Sequence, residues 1–116
     1  MKIINGMIFT DEFVFREGTV EIEDGKIGNI RWGHTSKAEK NKDVIDASGK
    51  YVLPGLVDIH FHGCAGYDFC DATLESLNNI AAYEKKSGIT TICPASMTYS
   101  EDILTKIVEN AVKFRD

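Results

Sequence analysis

The stretch Val52-Leu53-Pro54-Gly55-Leu56-Val57-Asp58-Ile59-His60-Phe61-His62-Gly63 divides the chain into two kinds of sequence and carries its most distinctive chemistry. Pro54-Gly55 interrupts what precedes it, because proline has no amide hydrogen to give to a ladder and glycine accepts backbone that other residues avoid. Leu56 to Phe61 then reads as an apolar strand whose side chains alternate between two faces. Leu56, Asp58, His60 and His62 share one face, and Val57, Ile59 and Phe61 share the other. Residues two apart on a strand lie about 6.6 Å apart along the chain, so His60 and His62 can converge on one ion. An isolated His-x-His is more often a pair of surface or packed imidazoles than a ligand pair. Position favours ligation here: the pair ends an apolar strand and runs into Gly63 and a loop, where barrel enzymes place their chemistry. Asp58, lower on the same face, is the expected outer carboxylate that orients an imidazole.

Upstream of this stretch the pattern is a run of short strands at 2–9, 13–15, 19–23, 26–31, 44–46 and 51–53, partly alternating and separated by turn residues. Asp24-Gly25 predicts a two-residue hairpin, since glycine accepts the positive φ of a type I′ turn. Residues 33–43 are polar and aperiodic, which predicts a surface loop. Downstream, strand and helix alternate: a strand at 56–61, a loop to Asp71, a helix over 73–87, a strand at 90–93 and a second helix from Ser100. The first helix has Asp71 or Thr73 to cap it and Lys85, Lys86 and Gly88 to end it. The second places Ile103, Leu104, Ile107, Val108, Ala111 and Val112 on one stripe.

A β-rich section followed by βαβα units predicts an α/β protein in which a small sheet domain, residues 1–53, precedes a parallel α/β domain, residues 54–116. The second would be the first two βα units of an incomplete (β/α)8, TIM-like barrel, because such a barrel takes about 200 residues or more. Strand edges and apolar helix faces should then stay exposed unless another chain or segment covers them.

The composition narrows the function classes. The 116 residues are 43% hydrophobic with a formal net charge of −5, which describes a soluble, mildly acidic, folding-competent polypeptide. The densest basic stretch, 37–42, is broken by Ala38, Glu39 and Asn41, so a nucleic-acid surface is not expected. No secretory signal or membrane-length apolar run is present, which makes the cytosol the expected compartment. Cys64, Cys70 and Cys93 are odd in number and form no CxxC, so reduced thiols are expected.

The quoted stretch resembles the signature of the amidohydrolase superfamily. Its continuation, Gly63-Cys64-Ala65-Gly66-Tyr67-Asp68-Phe69-Cys70-Asp71-Ala72, and the later Gly88-Ile89-Thr90-Thr91-Ile92-Cys93-Pro94-Ala95-Ser96-Met97-Thr98 resemble the N-acetylglucosamine-6-phosphate deacetylases in particular. The resemblance covers essentially the whole chain, since that family opens with a small β-sandwich portion before its first barrel strand. Two departures stand out: Pro94-Ala95 where the family has Pro-Thr, and a glycine-rich loop thinned by Cys64 and Ala65. The resemblance implies hydrolysis of the N-acetyl amide of an amino-sugar phosphate, with a divalent metal, zinc first and iron or another transition metal as alternatives. It implies that His60 and His62 are metal ligands. It also implies that the general acid/base, a later glutamate and two further histidines lie past Asp116, so this chain alone should not turn over substrate.

Within the superfamily a dihydroorotase, a cyclic-amide hydrolase or a nucleobase deaminase would share Pro-Gly-x-x-Asp-x-His-x-His. A non-catalytic binding module is the rival from another class. No nucleic-acid or membrane partner is expected, whereas association into a homo-oligomer or with the rest of a barrel is. Among the remaining residues, His34 is expected to be solvent-exposed, Cys64 a passive neighbour of the site, Cys70 a loop residue and Cys93 a core residue. Asp68 and Asp71 are read as helix-capping carboxylates, Asp71 above all. No substrate-binding residue is assigned.

Overall fold

The computed structural model describes residues 1–36 and 43–115, which form two units, Met1–Pro54 and Gly55–Asp116. The greater part of the expected polar loop at 33–43 therefore lies outside the described residues.

The first unit is a five-stranded sheet. Strand β1 (Lys2–Phe9) is central, antiparallel to β2 (Phe15–Glu23) on one edge and parallel to β4 (Val44–Asp46) and β5 (Tyr51–Val52) on the other, while β3 (Lys26–Trp32) pairs with β2. The β2–β3 connection is the hairpin expected at Asp24-Gly25. Both residues have positive φ, 50° and 73°, as a type I′ turn needs, and Glu23 faces Lys26 across it. The two short segments expected at 13–15 and 19–23 are largely one strand, β2, preceded by a turn in which Phe13 has φ 60°.

Ile4, Ile8, Val20 and Ala47 are the buried apolar residues of this unit. One buried polar residue is matched by a partner that sequence spacing does not show. A bulge in β1 between Ile3 and Gly6 contains Asn5, at φ 58°, whose amide oxygen accepts from the Thr35 amide at 2.8 Å. The expected sandwich portion corresponds, among the described residues, to this one sheet. Its apolar side chains Ile3, Ile8, Val20, Ile22, Ile27 and Ile30 line an open groove.

The second unit alternates strand and helix. Strand β6 (Leu56–Phe61) is followed by a small hairpin, β7 (Gly63–Cys64) and β8 (Tyr67–Asp68), and by a 3₁₀ turn (Phe69–Asp71). Helix α1 (Leu74–Lys86), strand β9 (Ile89–Pro94), parallel to β6, and helix α2 (Glu101–Arg115) complete it. Capping explains the helix ends: Thr73 Oγ1 accepts from the Ser76 amide at 3.1 Å, and Ser87 closes the last turn just before Gly88, at φ 81°. Asp71 caps differently from expectation. It completes the capping box of the 3₁₀ turn that Asp68 begins, and Thr73 takes the cap of α1.

The core of this unit joins Phe69, Leu77 and Ile107, with Leu104, Ala111 and Phe114 packed around them, and Ile80 is fully buried. It is built by the helices and the 3₁₀ turn. Among the described residues, strands β6 and β9 contribute no fully buried side chain, so Cys93, expected in the core, is instead exposed.

Candidate metal centre

His60 and His62 sit at the end of β6, and their rings stand edge to face with centroids 5.1 Å apart and planes at 85°. Two imidazoles at this separation can approach one ion with modest adjustment. Local chemistry explains why the strand ends as it does. Asp58 Oδ1 accepts from the His60 amide at 3.0 Å, so the carboxylate braces the main chain at the first histidine instead of contacting a ring. The His62 carbonyl accepts from the Phe69 amide at 2.7 Å, which ties the second histidine to the 3₁₀ turn.

Two glycines of the quoted stretch are required by close approach. A β-carbon on Gly55 would fall 2.0 Å from Thr90 Oγ1 on the neighbouring strand, and one on Gly63 would fall 2.2 Å from the Tyr67 carbonyl across the β7–β8 hairpin. Part of the signature is thus explained by packing around the site.

The second strand supplies the other half of the geometry. Phe61 of β6 faces Pro94 of β9, and the Ala95 amide donates to the Phe61 carbonyl at 2.8 Å, carrying the pairing one step past the strand. Ala95 then presents its own carbonyl oxygen 2.8 Å from His62 Nδ1. His62 is half-buried and His60 is exposed. Among the described residues neither ring nitrogen of His60 has a hydrogen-bond partner.

The nearby thiols are turned to other work. Cys64 Sγ points to the Ile80 carbonyl of α1 at 4.0 Å, and burial, followed by the Glu84 carboxyl, pushes its pKa up. Cys70 Sγ accepts from the Met97 amide at 3.4 Å and is likewise raised, chiefly by burial. Asp68 and Asp71 are occupied by capping: Asp68 Oδ1 accepts from the Cys70 amide at 2.7 Å, and Asp71 Oδ2 from the Asp68 amide at 2.9 Å and the Ser76 hydroxyl at 2.8 Å. His34 is exposed in the first unit, with Nδ1 2.9 Å from Glu17 Oε1.

The donor set fits a borderline transition metal, since neutral imidazole suits zinc, iron, nickel and their neighbours. It is also partial. No cluster of three or more metal-ligating side chains occurs among the described residues.

Residues 43–103 match the amidohydrolase family. The N-acetylglucosamine-6-phosphate deacetylase of Bacillus subtilis is 28% identical over 108 residues, 93% of this chain and 27% of the relative. The dihydroorotase of Bacillus cytotoxicus is 33% identical over 115 residues, 92% of this chain and 26% of the relative. The chain therefore spans about a quarter of the length of the curated relatives it matches. The crystal structure of N-acetylglucosamine-6-phosphate deacetylase from Pasteurella multocida superposes on it with a TM-score of 0.83 at 23% identity, covering 98% of this chain and 30% of that one. At that identity the likeness is one of fold.

Proposed function

Because the chain belongs to the amidohydrolase family, we propose that residues 54–116 supply the opening strands of a metal-dependent hydrolase barrel and that His60 and His62 hold its ion in part. The observation that carries this reading is the pair of imidazoles 5.1 Å apart at the end of a strand paired in parallel with its successor. The exposed apolar residues of β6, Val57 and Ile59 among them, support it, because helices and neighbouring strands cover such residues in a barrel. Residues 1–53 form the accompanying sandwich portion.

The reaction proposed for the whole protein is hydrolysis of the N-acetyl amide of an amino-sugar phosphate, most specifically N-acetylglucosamine 6-phosphate, releasing acetate in the cytoplasm. A bound divalent cation, zinc first, would polarise the amide carbonyl and lower the pKa of a bound water. His60 and His62 would hold the cation as neutral nitrogen donors. Asp58 holds the main chain beneath His60 and leaves the ring itself free. The general acid/base and substrate-recognition groups are assigned to none of these residues.

The second reading is dihydroorotase-type ring chemistry, favoured by the higher identity of the Bacillus cytotoxicus relative, 33% against 28%. Acetate release from N-acetylglucosamine 6-phosphate by the whole protein, without turnover of dihydroorotate, is the outcome expected, and the reverse selects the second reading. For this chain, zinc titration by calorimetry is the direct test. His60→Ala and His62→Ala should each weaken binding at least ~10-fold, no less than the loss of an outer partner of a metal ligand costs. Unchanged affinity in both variants would end the metal assignment.

A further inference from the structure

We infer that the main-chain carbonyl of Ala95 fixes His62 as its Nδ1–H tautomer, so that Nε2 is the nitrogen it offers to a cation. The clause about the cation rests on the metal reading above; the tautomer rests on geometry alone. A carbonyl oxygen has no proton to give, so the 2.8 Å contact between Ala95 O and His62 Nδ1 requires that Nδ1 donate. A neutral imidazole carries one N–H, which leaves the lone pair on Nε2.

The acceptor is itself held in place. The Ala95 amide is bound to the Phe61 carbonyl at 2.8 Å, one residue before His62, and the His62 carbonyl is bound to the Phe69 amide at 2.7 Å. The ring therefore sits between two fixed points, the end of β9 and the 3₁₀ turn. The half-burial of His62 limits competition from water for the same proton.

His60 has no such restraint. Its amide is braced by Asp58, yet among the described residues its ring nitrogens have no hydrogen-bond partner, so it remains free to rotate toward an ion. The two histidines thus have different jobs: His62 is pre-oriented and His60 adapts. Because the interaction uses the backbone at position 95, replacement of threonine by alanine there, the departure from the Pro-Thr pattern, leaves it intact.

Nitrogen NMR of the metal-free 116-residue chain, labelled at its histidine ring nitrogens, tests this at a pH of about 8, above the ordinary imidazole range. His34→Gln and His60→Gln variants assign the signals. His62 is expected as the Nδ1–H tautomer, opposite to the Nε2–H form that a free side chain in water prefers, while His60 shows the free-like mixture. Ala95→Ser should leave the His62 tautomer unchanged. A dominant Nε2–H form at His62, or the same mixture at both histidines, overturns the inference. The tautomer is read without metal, so its failure is distinguishable from a failed zinc titration, which bears on the metal reading alone.

Discussion

Strands β1 and β6 are both apolar and both begin their units, yet one is core and the other is surface. β1 has neighbours on both edges, and its Ile4 and Ile8 are 3% and 4% exposed. β6 is paired with β9 alone among the described residues, and its Ile59 is 79% exposed. The difference does not lie in the strands' own sequences, which have comparable hydrophobicity, but in what surrounds them. The second unit is held together by Phe69, Leu77, Ile80 and Ile107, from the 3₁₀ turn and the helices, so the strand that carries the histidines contributes little to the core that supports it.

The largest expected effect tests this contrast directly. Ile80→Ala removes side-chain atoms from a fully buried position and should cost about 3–4 kcal/mol in chemical denaturation. Ile59→Ala, on the open face of β6, should fall within about 0.5 kcal/mol of the parent. Comparable losses at the two sites would show that something covers the face of β6 in solution, and the contrast between the strands would be broken.

A second comparison concerns two tight turns of the same backbone pattern. Asp24-Gly25 in the first unit has φ of 50° and 73°, and Ala65-Gly66, between β7 and β8, has 55° and 85°. Aspartate tolerates the left-handed region because its short polar side chain can bond locally; alanine has no such compensation. Asp24→Ala should therefore cost about 0.5–1 kcal/mol, and Ala65→Asn should gain a similar amount. Thermal melts of the two variants would move in opposite directions. If both moved the same way, φ alone would not be setting the cost of these turns.

These turns also mark the boundary of what the sequence made legible. Asp-Gly announced its hairpin, whereas Ala65-Gly66 passed as loop, because alanine is not a residue that turns select and the strands it joins are two residues long. Helix α1 was readable from two candidate caps, Asp71 and Thr73, of which Thr73 takes the role, and from Lys85, Lys86 and Gly88 at its other end. The i, i+2 spacing of His60 and His62 was visible too, but His62 lies one residue past the end of β6, so strand period alone does not set where its ring points. The contact of His62 with Ala95 could not be read, since it joins residues 33 apart in sequence and depends on the register of β6 with β9. Cys93 was misjudged for a related reason, because an apolar strand implies burial only if another layer lies over it.

The smallest expected effect compares a carboxylate from each unit under acid. Asp46, in the first, has a pKa lowered by the Ser48 hydroxyl and amide; Asp71, in the second, by the Asp68 amide and the Ser76 hydroxyl. A folded-state pKa below the unfolded one means stability that is fully present above the unfolded value, about 3.9. It is lost as pH falls through the folded value. Asp46→Asn and Asp71→Asn should therefore each destabilise the chain at neutral pH and lose that deficit below about pH 4. Both groups are open to solvent, so the effects are small and best read locally by amide hydrogen exchange. Asp71→Asn should speed exchange at Asp68 and leave Ser48 unchanged, and Asp46→Asn should do the reverse. Asp71 bridges the 3₁₀ turn and the first turn of α1, whereas Asp46 closes a turn only two residues long. Protection lost on Asp71→Asn should accordingly spread to the Ser76 amide. If exchange at Ser76 is unmoved at neutral pH, the carboxylate closes its own turn and does not brace the start of the helix.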